Sequence, residues 1–306
     1  MPVTEPHVSV ILPYYEGERW LRRTIGSVIA QAGVSWELVI VDDGSQAAPD
    51  GMIRSMRDER IRFLRIDHAG KGAALNRGVS VSQAGLLCFI DQDDIMLPGR
   101  LRRQAAAFDA HPAAGGVYSD YERVTDSGRL LGRFISRQAE NGECLERLAR
   151  GISPVTMQTL MLRRAVYDQV GGFSEDPALT GLDDGEFFAR LFVSGVKLRY
   201  EPGVVQQWVC HERNYSAGAD FQDARLAFLK HYTAMAEEMP ELKEVLPLFR
   251  YNTYYTRGLY YLEHAMPQKA CPEFTRAIAC RPANWNAYYL LIKAWLQANL
   301  LKVATG

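Results

Sequence analysis

The sequence predicts an α/β protein with a mostly parallel sheet flanked by helices, followed by a small all-α domain. Two observations support the sheet: apolar runs alternate with helical stretches, and acidic turns follow the apolar runs. Beyond about residue 216, strand-like runs give way to helix formers and aromatic residues. We therefore expect an α/β domain over residues 1–216 and a helical domain over residues 217–306.

The first elements show the alternation clearly. Residues 8–12 form an apolar run that stops at Pro13, and large apolar side chains then recur at helical spacing over residues 20–29. The pattern returns in residues 38–41 and 86–90, with helical stretches between them. Continuous apolar strands separated by helices are typical of a parallel sheet that is covered on both faces.

Acidic turns follow these strands directly. Residues 42–45 come after one strand and residues 91–94 after another, and a further pair, Asp183 and Asp184, opens a later helix. In α/β sheets the ligand crevice lies outside the carboxyl ends of the strands. We therefore expect the carboxylates to gather at one edge of the sheet.

Residues 91–94 are the densest acidic turn. Asp91, Asp93 and Asp94 would repel one another unless a cation or hydrogen-bond donors compensated them. Carboxylates are natural ligands for magnesium or manganese, and a metal is the economical explanation. An Asp-rich, solvated turn that caps the following helix explains the cluster by itself about equally well.

The C-terminal part contains an internal repeat. Residues 252–255 recur 34 positions later at 286–289, and a period of 34 is that of tetratricopeptide helix-turn-helix units. In that frame Arg257 stands where the motif usually has leucine. Because single repeats do not bury their apolar face alone, we expect this segment to pack on the preceding helices or on a second subunit. A helical cap is favoured over a partner-binding surface.

Composition narrows the class of protein. The 35 Lys and Arg against 36 Asp and Glu argue against a nucleic-acid-binding protein. The five scattered cysteines indicate reduced thiols, and neither a secretory signal nor a membrane-spanning stretch is present. We expect a cytoplasmic protein, with peripheral attachment to the inner face of a membrane left open.

The ordered set of motifs resembles glycosyltransferase family 2, the inverting enzymes with the GT-A fold. The resemblance covers roughly residues 7 to 216 and is carried by residues 8–16, 37–45, 70–78, 89–94, 171–173 and 183–190. Residues 210–216 are similar to the His-x-x-Asn-x-Ser stretch that often closes the family's catalytic domain.

The resemblance implies a role for individual residues on the donor side. Pro13, Tyr14 and Glu16 would line the nucleotide pocket, and Asp43 would accept a hydrogen bond from the imide N–H of the base. Lys71 is a candidate contact to the phosphates or the donor sugar.

The resemblance also implies a metal site and a base. Asp94 would be the direct metal ligand, Asp93 would lie by the ribose and the metal, and His211 would complete the metal shell. Asp91 would shape the end of the strand. Asp184 would take the proton of the acceptor hydroxyl, while Asp183 caps the helix.

The implied activity is inverting transfer from a nucleoside diphosphate sugar, with UDP favoured and Mn²⁺ or Mg²⁺ as cofactor. The implied acceptor is a glycan or lipid-linked molecule in polysaccharide or surface-glycan synthesis. The helical tail could join a second copy or a protein partner.

Two other classes of protein fit parts of this sequence pattern. A sugar-nucleotide pyrophosphorylase is disfavoured because residues 13–18 form an acidic loop where such enzymes carry a glycine-rich, basic one. A decayed scaffold with a partner-binding tail is disfavoured because Asp43, Asp93, Asp94 and Asp184 are all present.

Overall fold

The computed structural model describes residues 6–214, 218 and 220–305. The chain forms two compact units, residues 1–144 with 154–218 and residues 145–153 with 219–306. The predicted boundary between residues 216 and 217 lies outside the described residues and stays a prediction. No helix in the described part of the chain is long and apolar enough to cross a membrane.

The apolar runs at residues 8–12, 38–41 and 86–90 form strands, as predicted, whereas the strands at Ile61–Arg65 and Ile95–Met96 were not predicted. The strands are β1 (Val8–Tyr14), β2 (Trp36–Asp42), β3 (Ile61–Arg65), β4 (Leu86–Phe89), β5 (Ile95–Met96), β6 (Gly116–Thr125), β7 (Leu130–Phe134), β8 (Met161–Arg163) and β9 (Leu198–Cys210). The α-helices are α1 (Glu18–Ile29), α2 (Asp50–Ser55), α3 (Lys71–Val81), α4 (Arg100–Ala110), α5 (Asn141–Ala149), α6 (Arg164–Val170), α7 (Asp183–Val193), α8 (Asp220–Glu238), α9 (Pro240–Glu263), α10 (Pro267–Cys280) and α11 (Trp285–Thr305).

All these strands join one sheet in the order β3-β2-β1-β4-β8-β6-β9-β5, with β7 on β6. The pairs β3–β2, β2–β1 and β1–β4 are parallel, as is β6–β9. The pairs β4–β8, β6–β8, β6–β7 and β5–β9 are antiparallel. The α/β fold is thus confirmed, and its sheet is mixed because only the first four strands of the order are linked through helical crossovers.

Strand β1 is buried along its whole length, as its uninterrupted apolar run predicts. Helix α3 crosses it closely at Gly78, where a Cβ atom would lie 2.6 Å from Ile11 Cγ2. The chain enters α3 through Gly70, whose φ of +96° favours glycine. This close packing brings the positive, N-terminal end of α3 to the carboxyl edge of the sheet.

The second unit contains the helices α8 to α11, so the predicted helical region is present. Phe274 and Ala270 of α10 are fully buried in a core shared with α11 and α9. At Gly258 of α9 a Cβ atom would lie 2.7 Å from Phe274 Cε1, so this position requires a small residue. That agrees with the small position of the repeat pattern, although the tetratricopeptide assignment stays a prediction.

Arg257 is buried in this unit and links three helices. It donates hydrogen bonds to the carbonyl of Gln222 in α8 and to Tyr261 Oη, and it pairs with Glu273 of α10 at 3.5 Å. Both side chains of the ion pair are about one-twentieth exposed, at 5% and 6%. A leucine here would leave the buried Glu273 carboxylate with the exposed Arg276, 3.0 Å away, as its remaining ionic partner.

We expect Arg257→Leu to lower the free energy of unfolding by about 3 kcal/mol, because one charge of a buried pair is left behind. The double variant Arg257→Leu/Glu273→Leu should recover most of that loss. Urea unfolding of the single variants, the double variant and the wild type measures these effects. A double variant whose loss equals the sum of the losses in Arg257→Leu and in Glu273→Leu alone would show that the pair is not coupled.

Candidate active site

The candidate site lies at the carboxyl ends of the central parallel strands. Tyr14 at the end of β1 pairs with Asp42 at the end of β2, and β4 runs alongside β1 up to Phe89. The turns that follow these strands therefore leave the sheet at one edge. This arrangement brings the first two acidic turns of the sequence together with the start of α3.

The Asp42-Asp43 turn organises the loop that leads into α3. Asp43 is 3% exposed, and its two carboxylate oxygens accept hydrogen bonds from the backbone N–H groups of Ala69 (2.8 Å) and Gly70 (2.9 Å). His68 Nδ1 lies 2.9 Å from Asp43 Oδ2. Asp43 thus fixes the backbone before α3, and its predicted contact with a nucleotide base stays a prediction.

The predicted pocket residues of the first motif lie in different environments. The Tyr14 ring is 2% exposed and belongs to the hydrophobic core, where burial raises the pKa of its hydroxyl. Pro13 is buried in the same strand. Their predicted place in a nucleotide pocket stays a prediction.

The two residues that follow Tyr14, Tyr15 and Glu16, are exposed. Tyr15 is 46% exposed, and its ring stacks on His68 with centroids 4.6 Å apart. Glu16 has a φ of +50°, and its carboxylate accepts a hydrogen bond from the Gln46 N–H at 2.6 Å. The sequence predicts a pocket role for Tyr14 and none for Tyr15, although the side chains of successive strand residues point to opposite sides of a sheet.

Gln92 connects the acidic turn at residues 91–94 to the loop that contains Tyr15. Its side chain accepts a hydrogen bond from the Tyr15 N–H at 2.8 Å and donates one to the Tyr15 carbonyl at 3.0 Å. No role for Gln92 is predicted from the sequence. A residue whose amide matches both backbone groups is recognisable only when the two loops are seen together.

Lys71, the first residue of α3, lies among carboxylates. Its ammonium nitrogen is 2.7 Å from Asp91 Oδ1, and Gln158 Nε2 donates to Asp91 Oδ2 at 3.0 Å. Burial alone would lower the pKa of Lys71, but the attraction of Asp91, Asp183 and Asp184 outweighs it and raises that pKa. Lys71 is therefore a permanent positive charge in an acidic surrounding.

Asp93 pairs with His211, and the metal role predicted for both residues stays a prediction. Asp93 Oδ2 lies 2.9 Å from His211 Nε2, and the imidazole stacks on Trp20 with ring centroids 4.0 Å apart. Burial, followed by repulsion from Asp91, raises the pKa of Asp93. The predicted motif partner Asn214 accepts a hydrogen bond from the His211 N–H, whereas Tyr215 and Ser216 lie outside the described residues.

Asp94 is hydrogen-bonded to strand β9. It is fully buried, and its two oxygens accept hydrogen bonds from Gln206 Nε2 and from the Val209 N–H, both at 3.0 Å. Burial, with repulsion from Asp93 and Asp91, raises its pKa well above the usual value. Both oxygens thus join the acidic turn to β9, and the predicted role of Asp94 as a direct metal ligand stays a prediction.

Helix α7 begins with Asp183 and Asp184. Asp183 is 4% exposed and accepts a hydrogen bond from the Gly181 N–H at 3.2 Å, while its Oδ2 has no hydrogen-bond partner among the described residues. Asp184 accepts one from the Gly185 N–H at 2.7 Å. Burial and the Asp183 charge raise the pKa of Asp184 to about 6, against the opposing effect of Lys71.

A divalent cation fits this donor set only in part. Within the described residues, no three His, Cys, Asp or Glu side chains are placed to hold a metal ion together. Asp93 and His211 offer two adjacent donor atoms, and Mg²⁺ is usually bound by one or two carboxylates together with substrate phosphates and water. The site therefore fits a cation that is completed by a diphosphate.

Comparison with known proteins adds relatives and folds. The chain is 31% identical over 164 residues to the succinoglycan biosynthesis protein ExoO of Rhizobium meliloti, which covers 53% of this chain and 45% of that protein. It is 28% identical over 132 residues to the Escherichia coli glucosyltransferase WfgD, which is named for UDP-Glc and GlcNAc-diphosphoundecaprenol; the match covers 43% of this chain and 51% of WfgD. The chain thus spans about half the length of these curated relatives.

Two solved structures share the fold. Residues 1–349 of Staphylococcus aureus TarS in complex with UDP-GlcNAc match with a TM-score of 0.65 and 17% identity, over 95% of this chain and 87% of that one. The mannosyltransferase PcManGT of Pyrobaculum calidifontis, in complex with GDP-Man and Mn²⁺, matches with a TM-score of 0.61 and 18% identity, over 97% and 81%.

The family model for glycosyl transferase family 2 matches residues 9–171, more than half of the chain. The matched segment contains β1 to β8 and the turns that carry Asp43, Asp91 and Asp93. The chain therefore belongs to glycosyltransferase family 2.

Proposed function

We propose that the protein transfers a sugar from a nucleoside diphosphate sugar, with UDP favoured, to an acceptor hydroxyl with inversion. The observation that carries this proposal is Asp184, an aspartate with a pKa of about 6 beside Lys71 and the acidic strand ends. Inverting displacement needs one base opposite the leaving diphosphate, and a carboxylate that binds protons near neutral pH suits that task.

The base is tuned by its surroundings in two opposed ways. Burial and Asp183 disfavour the ionised form of Asp184, while Lys71 favours it. At pH 7 the carboxylate is mostly ionised but accepts a proton more readily than an ordinary aspartate. Asp183, with one oxygen free of partners in the described structure, keeps this repulsion in place.

Lys71 connects the base to the donor side. Its ammonium group lies 2.7 Å from Asp91 in the acidic turn and acts electrostatically on Asp184 at the start of α7. A diphosphate leaving group at the positive end of α3 would meet this cation directly. Lys71 would then stabilise charge on the leaving group while it holds Asp184 ionised.

The metal role falls to Asp93 and His211 in this proposal, with Asp94 supporting them from behind. A bound Mn²⁺ or Mg²⁺ would neutralise the charge that develops on the departing diphosphate. Asp93 is the only one of the neighbouring pair with a partly exposed carboxylate, at 18%, and His211 is held beside it by the stack on Trp20.

The donor and acceptor classes rest on the relatives. WfgD is named for UDP-Glc and a lipid-linked acceptor, ExoO for succinoglycan biosynthesis, and TarS was solved with UDP-GlcNAc. We infer a UDP-sugar donor and a glycan or lipid-linked acceptor in polysaccharide or surface-glycan assembly. Peripheral association with a membrane would follow from a lipid-linked acceptor. A pyrophosphorylase is disfavoured because Glu16 lies in the loop where a triphosphate would bind.

Asp184→Asn should lower the turnover number by at least about 100-fold, because the general base is lost while the shape of the site is kept. Affinity for the donor, measured by calorimetry with UDP and Mn²⁺, should change by less than about threefold, well below the roughly tenfold that 1.4 kcal/mol represents. The exposed Asp168→Asn serves as the matched control and should keep wild-type turnover. Parallel loss of donor binding and turnover would contradict the role of base.

The pH profile should report the same carboxyl group. The value of kcat/KM should fall about tenfold for each pH unit below the pKa of about 6, because only ionised Asp184 accepts the proton. Removing the favourable Lys71 charge in Lys71→Met should move this acid limb to higher pH by about one unit. The control Lys197→Met should leave the limb in place, and an unmoved limb in Lys71→Met would contradict the coupling.

The two adjacent aspartates should separate in a metal titration. Asp93→Asn should weaken Mn²⁺ binding in the presence of UDP by at least about tenfold, since even changes outside the ligand shell cost that much. Asp94→Asn should instead lower the melting temperature. The asparagine side chain has only one oxygen, so its NH₂ group would face a second hydrogen-bond donor, either Gln206 Nε2 or the Val209 N–H, and one hydrogen bond would be lost. The opposite pattern would make Asp94 the direct ligand, and calorimetry with thermal unfolding distinguishes the two.

A further inference from the structure

Helix α11 exposes a continuous apolar face. Its outward side chains are about half to four-fifths exposed: Trp285 80%, Tyr289 67%, Ile292 59%, Trp295 60% and Leu296 50%. These are five of the large apolar side chains that the described structure leaves open to water. We call the row Trp285, Tyr289, Ile292, Leu296 and Asn299 the α11 seam, with Trp295 at its side.

The seam has the spacing of a helix–helix contact. Its residues follow one another at intervals of four, three, four and three, the heptad pattern in which two helices pack side by side. The opposite side of α11 is already covered, since Ala287 and Ala294 are fully buried against α9 and α10. The exposed row is therefore a second face and not an extension of the core of its own unit.

Charge is almost absent from this helix. Among the side chains described for α11, up to residue 299, Lys293 is the only charged one. Helices that are apolar on all sides are buried in proteins, whereas surface helices carry charged residues on the solvent side. Large contiguous apolar patches on soluble proteins mark interaction sites. The seam thus has the composition of an interface.

We propose that the α11 seam binds a second copy of this chain, with the two α11 helices antiparallel about a two-fold axis near Ile292. A two-fold interface requires a surface that complements itself, and a seam without charges places no like charges opposite each other. The bulky Trp285 and Tyr289 lie at one end and the smaller Leu296 and Asn299 at the other. Antiparallel packing sets large against small along the whole seam.

The area available agrees with this occupant. With aromatic side chains counted at about 150–250 Å² each, the exposed fractions correspond to roughly 600 Å² per copy. Two copies would bury roughly 1,200 Å², the lower limit for specific and stable interfaces. Asn299 would be the single polar seam residue, and one polar position in such a seam fixes register.

Sedimentation equilibrium of the full chain tests the proposal. The wild type should show twice the chain mass of 34.4 kDa at micromolar concentration, and Ile292→Glu should raise the dimer dissociation constant at least 100-fold. Ile152→Glu is the matched control in the same unit, since Ile152 is 52% exposed but lies off the seam, and it should remain dimeric. Melting curves check that both variants are folded.

Cysteine cross-linking tests the orientation. Mixed Trp285→Cys and Asn299→Cys chains should form an oxidised dimer between the two variants, which either variant alone should form much more weakly. A wild-type chain that stays monomeric up to about 100 µM would overturn the proposal, including the case in which a different protein covers the seam. A dimer that survives Ile292→Glu would overturn it equally, because the contact would then lie elsewhere.

Discussion

The ion pair between Lys71 and Asp91, at 2.7 Å, holds the candidate site together. It joins the first residue of α3 to the second residue after β4, and β4 pairs in parallel with β1 in the sheet. The same ammonium group attracts Asp183 and Asp184 at the start of α7. Three segments far apart in the chain thus share one positive charge, and the pKa of Asp184 depends on it.

The neighbouring aspartates Asp93 and Asp94 make different contacts from one turn. Asp94 turns into the sheet, where β9 supplies a side-chain and a backbone donor. Asp93 turns outward to His211, whose ring rests on Trp20. The buried Asp94 carboxylate with its two donors anchors the turn, so that the preceding Asp93 is presented to His211 at a fixed place.

Much of this arrangement could be predicted from the sequence, for identifiable reasons. The strands β1, β2 and β4 are buried on both faces, so their apolar runs are unbroken, and the edge at which Asp43 and Asp91 lie follows from parallel pairing. The second half of the sheet, from β8 to β5, was not predictable, because β6 pairs with β9 about 80 residues later and β9 is only partly buried. Its residues alternate too irregularly to reveal a partner.

The sequence leaves open the direction in which neighbouring side chains of the site point. Tyr14 and Tyr15 are neighbours at a strand end, as Asp93 and Asp94 are neighbours in a turn, and in each pair one side chain is buried while the other faces outward. A motif gives the residue types of both but not the direction of either. That direction depends on donors such as Val209 and Gln206, which the chain supplies more than 100 residues later.

The stack of Trp20 on His211 also makes the site visible by optical means. Because the centroids of the indole and imidazole rings lie 4.0 Å apart, a metal ion bound by His211 would change the surroundings of Trp20 directly. Trp20 is almost fully buried, at 5% exposure, so its emission is shielded from solvent quenchers. The chain therefore carries its own fluorophore at the point where donor and cation would meet.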